Sequence, residues 1–178
     1  MMNNFNLLIS TYRFNEIHAK SESWFILLIC GDKYPIISQL EYSGLLTAFT
    51  ILNNRKVISK VRKLIKKKEN LFHQVLKIVP IDYVCETDLE LIKLIVKNNY
   101  KNFIAPKETF KIDLKRRNNN KVDRDKFIKI IAEEVKNPVD LSHPDKIIRL
   151  EVLGNVSGIS FLKPTDIISF KDQVDVID

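Results

Sequence analysis

The chain has 178 residues, with 29 Lys and Arg against 22 Asp and Glu, for a net charge of +7. Its 45% apolar content is enough to core one domain or two small packed ones and excludes a disordered class. The apolar run from Trp24 to Cys30 is far short of a membrane span, no signal peptide precedes it, and Cys30 and Cys85 are too few for a disulfide framework. These features describe a reduced, cytoplasmic globular protein without a membrane segment, metal or cofactor.

The apolar stretch Phe5–Arg13 is predicted as a strand, and Asn15 as the cap of a helix that runs to Cys30 and stops at Gly31. The late part of that helix is apolar all round, which predicts burial on more than one side. Strands follow at Ile36–Glu41 and Leu45–Leu52 around a tight turn of Tyr42, Ser43 and Gly44. Val57, Ile58, Val61, Leu64 and Ile65 then fall on one helical face, with bases mainly opposite, before a strand at Gln74–Val79. The order βαββαβ is that of a ferredoxin-like unit. After Pro80, Thr87-Asp88-Leu89-Glu90 fits a capping box with Thr87 as cap, opening a helix through Ile92, Ile95 and Val96. Thr109–Arg117 is predicted as a strand with Phe110, Ile112 and Leu114 on one face, followed by the polar loop 118–121 and a helix from Asp123 through Val135. Ile148–Val152 alternates as a strand, and Gly154-Asn155 turns it back through Ile159 and Phe161 to Pro164.

The charge is unevenly placed. Residues 53–69 hold eight bases and one acid, whereas the remaining chain holds 21 of each, so one 17-residue segment carries the whole excess. A second basic stretch, 107–126, holds eight bases and four acids. Segregation of this kind predicts a surface facing a polyanion. Arg55, Lys56, Lys60, Lys63 and Lys67 on the helix supply cations in series, which suit a phosphate backbone without regard to sequence. Lys115, Arg116 and Arg117 at a strand end, with Lys121 and Arg124 beyond, add arginine forks suited to bidentate contacts.

Catalytic patterns are missing. The four glycines form no phosphate-cradling loop, and His18, His73 and His143 have no metal-ligand spacing. A His73–Cys85 nucleophile pair is conceivable, but structural roles account for both residues more simply. His143-Pro144-Asp145 fits a turn. Glu133-Glu134 fits a solvent-facing helix end, and Asp88 with Glu90 suits a helix's first turn.

The segments KIVPIDYVCETDLELIK (77–93), ETFKIDLKRR (108–117) and VDLSHPDKIIRLEVLGNVSGISFLKPTDIIS (139–169) resemble a THUMP domain. They resemble especially the archaeal and eukaryotic proteins related to the tRNA cytidine acetylation adaptor. Thr11, Arg13, Glu16, Ala19 and Glu22, with SGLLTAFT (43–50), resemble that group's opening region. The resemblance implies an α+β chain: an N-terminal ferredoxin-like domain (1–73), packed on a C-terminal α/β THUMP domain (74–170), and an acidic tail (171–178). It implies binding of the tRNA acceptor end, with Lys115, Arg116 and Arg117 at RNA-contacting positions and the ETF and HPD segments structural. The loop Asn118-Asn119-Asn120 departs from the glycine and serine common there. With no catalytic domain after Asp178, the implied role is a non-catalytic adaptor that presents tRNA to a separate acetyltransferase making N4-acetylcytidine. The alternatives are a detached RNA-binding subunit of a thiolation or methylation enzyme, and a protein-interaction module without RNA.

Overall fold

The computed structural model describes residues 4–67, 72–117 and 123–170. The chain divides into two compact units, residues 1–81 with 166–178, and residues 82–165.

The first unit contains β1 (Leu7–Thr11), α1 (Glu16–Ile29), β2 (Ile36–Gln39), β3 (Leu45–Phe49), α2 (Asn54–Lys67) and β4 (Val75–Pro80). Its sheet has the order β2-β3-β1-β4-β9, where β9 is Ile168–Ser169, and every pairing is antiparallel. The first four strands thus have the ferredoxin-like arrangement. Leu7 and Ile9 of β1, Leu46 and Ala48 of β3, Ala19, Ile26 and Leu27 of α1, and Val57, Ile58 and Val61 of α2 share one core. Both helices therefore lie on the same face of the sheet. A single helical layer leaves the outer side of α1 uncovered, and Trp24, Phe25 and Ile29 are exposed there. The expectation of burial on more than one side is corrected accordingly.

The residues resembling the family's opening region tie this unit together. Glu16 accepts a hydrogen bond from the Gly44 amide at 2.6 Å and from the Ser43 hydroxyl at 3.2 Å. Glu22 accepts the amides of His73, Gln74 and Val75, each at 3.0 Å, anchoring the start of β4. The Thr11 hydroxyl donates to the Gln74 carbonyl at 2.7 Å. These carboxylates satisfy amides that the short loops would otherwise leave unpaired.

The second unit contains β5 (Tyr83–Glu86), α3 (Leu89–Asn99), β6 (Phe110–Arg117), α4 (Arg124–Ala132), β7 (Lys146–Leu153) and β8 (Val156–Leu162), in the sheet order β5-β8-β7-β6. β6 and β7 are parallel, which requires a crossover, and α4 supplies it. Ile92 and Val96 of α3, Phe127 and Ile131 of α4, and Phe110, Leu114, Ile148, Leu150 and Phe161 of the sheet form its core. Phe103 stacks on Phe161 at 4.7 Å, with Tyr83 edge-on to both.

Several boundaries differ from the sequence expectation. β4 pairs with β1 and β9 with β4, so the first unit extends past residue 73 to Ile81 and takes back the segment from Asp166. β5, only four residues long, has no counterpart among the predicted strands. α3 is capped by Asp88, which accepts the Leu91 amide at 2.8 Å, while Thr87 shares a hydrogen bond with Ser157 instead. α4 stops at Ala132, and tighter turns carry Val135 into the core. The residues 171–178 of the acidic tail lie outside the described residues.

Candidate nucleic-acid interface

Two cationic surfaces were expected, and each lies in its own unit. On α2, Val57, Ile58 and Val61 are buried while Lys56, Lys63, Lys66 and Lys67 are exposed, as the amphipathic period requires. Three other bases of this helix are committed to the fold. The Lys60 ammonium donates to the Cys30 carbonyl at 2.5 Å, where it meets the negative end of α1. Arg55 pairs with Asp166 at 3.6 Å, and Arg62 donates to the Ile167 carbonyl at 3.4 Å. The cations of α2 available to a polyanion are thus fewer than the sequence count: Lys56 lies in the helix's first turn, and Lys63, Lys66 and Lys67 lie toward its C-terminal end.

In the second unit, β6 is an edge strand whose last residues are Lys115, Arg116 and Arg117, all exposed. The two-residue strand period places Lys115 and Arg117 on one face and Arg116 on the other, so the three charges straddle the strand end. The chain then enters α4, where Asp123 caps the helix by accepting the amides of Asp125 and Lys126 at 3.1 Å. Arg124, half-exposed, pairs loosely with Asp125 at 3.6 Å. The structure therefore brings Lys115, Arg116, Arg117 and Arg124 to the two ends of one strand-to-helix connection. Lys121 and Asn118–Asn120 fall on that connection but lie outside the described residues, as does Lys68.

A charged network unforeseen from the sequence supports this strand end. Arg149, 7% exposed, donates to Glu151, 6% exposed, through Nε at 2.7 Å and Nη2 at 2.6 Å. Its Nη1 reaches Asp113, which also holds the Lys115 ammonium at 3.3 Å. Asp113 opposes Arg149 in the β6–β7 register, as Lys115 opposes Glu151. Burial works against ionisation of Asp113, but Arg149 and Lys115 outweigh it and hold its pKa below the usual value. Burial pushes the Glu151 carboxyl up, with Arg149 opposing. The signal available in the sequence was Arg149-x-Glu151 within an apolar strand, two charges on one face of what proves to be a central strand.

The ETF and HPD segments are structural. Asp145 accepts the Thr109 amide at 2.8 Å and its hydroxyl at 3.0 Å, joining the starts of β6 and β7. Glu108 pairs with Lys146 at 3.4 Å. Burial, reinforced by Asp88 and Glu86, pushes the Cys85 thiol up to about 11, the opposite of an activated nucleophile. Among the described residues no cluster of His, Cys, Asp and Glu could hold a metal, and no helix is long and apolar enough to cross a membrane.

Residues 86–162, which span β6, α4 and the network just described, match the family model of the THUMP domain. The solution structure of the THUMP domain of THUMP domain-containing protein 1 is 34% identical over 42% of this chain and 84% of that one, with a TM-score of 0.38. The chain carries a THUMP domain at these residues. PH1313 from Pyrococcus horikoshii Ot3 has the same fold over 89% of this chain and 55% of its own, at 15% identity and a TM-score of 0.67. A 4-thiouridine synthetase solved with RNA and bound ATP matches 93% of this chain and 42% of its own, at 14% identity and a TM-score of 0.56. The THUMP protein described here thus spans about half the length of these two structures. No curated protein sequence matches it. The THUMP domain is an RNA-binding module associated with tRNA modification, and the cations at the end of β6 lie within the matched segment.

Proposed function

We propose that this THUMP protein binds tRNA at its acceptor end and presents it to a separate RNA-modifying enzyme, a cytidine acetyltransferase that forms N4-acetylcytidine. The chain itself performs no chemistry in this role. The observation that carries the RNA-binding part is the set of exposed bases Lys115, Arg116 and Arg117 at the end of β6 and Arg124 at the start of α4, within the THUMP segment. Arginine forks there suit phosphate oxygens and base edges, and the lysines of α2 add sequence-independent attraction. A fold relative solved with RNA supports the same reading.

Changing Lys115, Arg116 and Arg117 together to Ala is expected to abolish tRNA binding in a gel-shift assay while leaving the circular dichroism spectrum unchanged. Wild-type affinity in that variant assigns RNA binding to another surface. Affinity capture from native lysate tests the adaptor role, with an acetyltransferase as the expected partner. The fold relatives include a thiouridine synthetase, so a second reading is the RNA-binding subunit of a thiolation or methylation enzyme, and capture of such an enzyme would select it. Absence of RNA in the purified protein, measured as an RNase-insensitive absorbance ratio, together with capture of an acidic protein, would favour an interaction module instead.

A further inference from the structure

The loop between β1 and α1 holds an aromatic ring away from the core. Phe14 is 89% exposed, more than any other large hydrophobic residue described, and its backbone has φ of +68°. An L-residue in that region carries strain, and a buried ring would have stabilised the fold. This fold accepts both penalties at one residue. Tyr12 beside it is 46% exposed, and the intervening Arg13 is exposed as well.

The loop is anchored from both sides. The Thr11 amide donates to the Gly44 carbonyl at 3.0 Å, and the Asn15 amide donates to the Tyr12 carbonyl at 3.2 Å. Gly44 also lets the β2–β3 turn come close, since a Cβ there would sit 3.1 Å from the Thr11 oxygen and 3.7 Å from Arg13 Cγ. Glu16, the first residue of α1, binds the same turn through Gly44 and Ser43. The ring is therefore extruded from a fixed backbone, which lowers the ordering cost of binding.

Topology adds charge at the same end of the sheet. Thr11 pairs with Val75 at the start of β4 and Ser10 with Leu45 at the start of β3. α2 runs from the end of β3 back toward the start of β4, so its exposed Lys66 and Lys67 lie at the end where β1 delivers the loop. An exposed ring, an arginine beside it and lysines at that end suit a single-stranded nucleic acid: bases stack on rings, and cations hold the backbone between them.

We infer that Tyr12, Arg13 and Phe14 form a stacking platform for unpaired RNA bases, with Phe14 the principal contact and Lys66 and Lys67 holding adjacent phosphates. This rests on the RNA-binding reading above and assigns a second, base-contacting role to the ferredoxin-like unit.

The test compares the full chain with Phe14→Ala, Phe14→Gly and Phe14→Trp, using a short RNA hairpin that is blunt or carries an unpaired tail on either side. Wild type is expected to prefer a tailed RNA. Phe14→Ala and Phe14→Gly should lose roughly 5- to 150-fold in affinity for it, the range produced by removing one stacked base, with blunt-hairpin affinity unchanged. Phe14→Trp should retain the preference. Phe14→Gly also relieves the backbone, so thermal unfolding should show it at least as stable as wild type. Tailed-RNA affinity within twofold of wild type in both truncated variants overturns the platform while leaving RNA binding in place. Equal loss on blunt and tailed RNA overturns it too, as does loss of a captured protein partner with unchanged RNA affinity. If wild type binds neither hairpin nor tRNA, the RNA-binding reading itself fails.

Discussion

Replacing Arg149 by Met is the sharpest test of the network beneath the strand-end cations. Its guanidinium makes two contacts to Glu151 Oε1, at 2.7 and 2.6 Å, and one to Asp113. Met keeps much of the stem but leaves Glu151, at 6% exposure, without its cation. Breaking a buried pair in this way costs about 3–5 kcal/mol, far more than the 0–1 kcal/mol of an exposed pair. Replacing Glu151 by Leu in the same chain removes the stranded carboxylate and should recover most of that loss. pH provides a second readout. The folded pKa of Glu151 is raised, so its contribution is most favourable below the unfolded value of about 4.3 and is lost as pH rises through the folded pKa. Removing Arg149 takes away the cation opposing that shift and raises the folded pKa further. The deficit of Arg149→Met should therefore be full at pH 7 and shrink toward pH 4. Urea titrations followed by circular dichroism at both pH values measure it. A variant within about 1 kcal/mol of wild type at pH 7, or a deficit that does not change with pH, refutes the reasoning.

The bases of α2 should separate by role in two assays. Lys63→Ala should reduce the salt slope of RNA binding by roughly 0.7–0.9 if it touches one phosphate, with unchanged stability. Lys60→Ala should mainly destabilise, by about 0.3–1 kcal/mol, because its ammonium closes the end of α1; equal effects of the two substitutions in both assays would contradict this division. Gly44→Ala should cost about 1–3 kcal/mol in chemical denaturation, since its φ is +80° and a Cβ would press on the Thr11 oxygen. Hydrogen bonds from the Gly44 amide, then other local amides and Ser43, hold the Glu16 carboxyl below its usual pKa. Its contribution is thus present above the unfolded pKa and is lost as pH falls through the folded one. Melting curves of Glu16→Gln should lie below wild type at pH 7 and converge with it in acid; a constant gap across that range would exclude the mechanism.

The periodic parts of this chain were legible because burial enforces their period. The apolar stripe of α2 and the alternation of β7 each match a core surface. Short and non-local features were less legible. Tyr83–Glu86 is too brief to show an alternation, and it becomes a strand because β8 offers an edge. Asp88 and Thr87 are both good capping residues, and Ser157, distant in sequence, takes the threonine hydroxyl and leaves the cap to the aspartate. Likewise, composition alone marks Lys60 and Arg62 as surface charge. Their roles depend on the carbonyls of Cys30 and Ile167, which only tertiary structure brings into reach. The strand-end cations were visible as a group, but the residues beneath them were not, since Arg149 and Glu151 occur among apolar neighbours that signal only a strand.

The return of β9 to the first sheet has a consequence for synthesis on the ribosome. β4 pairs with Ile168 and Ser169, and the Phe170 amide donates a hydrogen bond to the Leu76 carbonyl at 2.9 Å while its ring stacks on Phe72 at 4.5 Å. All of residues 82–165 lie between these partners in the chain. At about 5–20 residues per second, β4 waits roughly 4–17 s with a bare edge before its neighbour is made. An uncovered strand edge is open to pairing with other chains. The second unit has every strand of its own sheet once Leu162 is made, so the first unit to begin is the last to be completed.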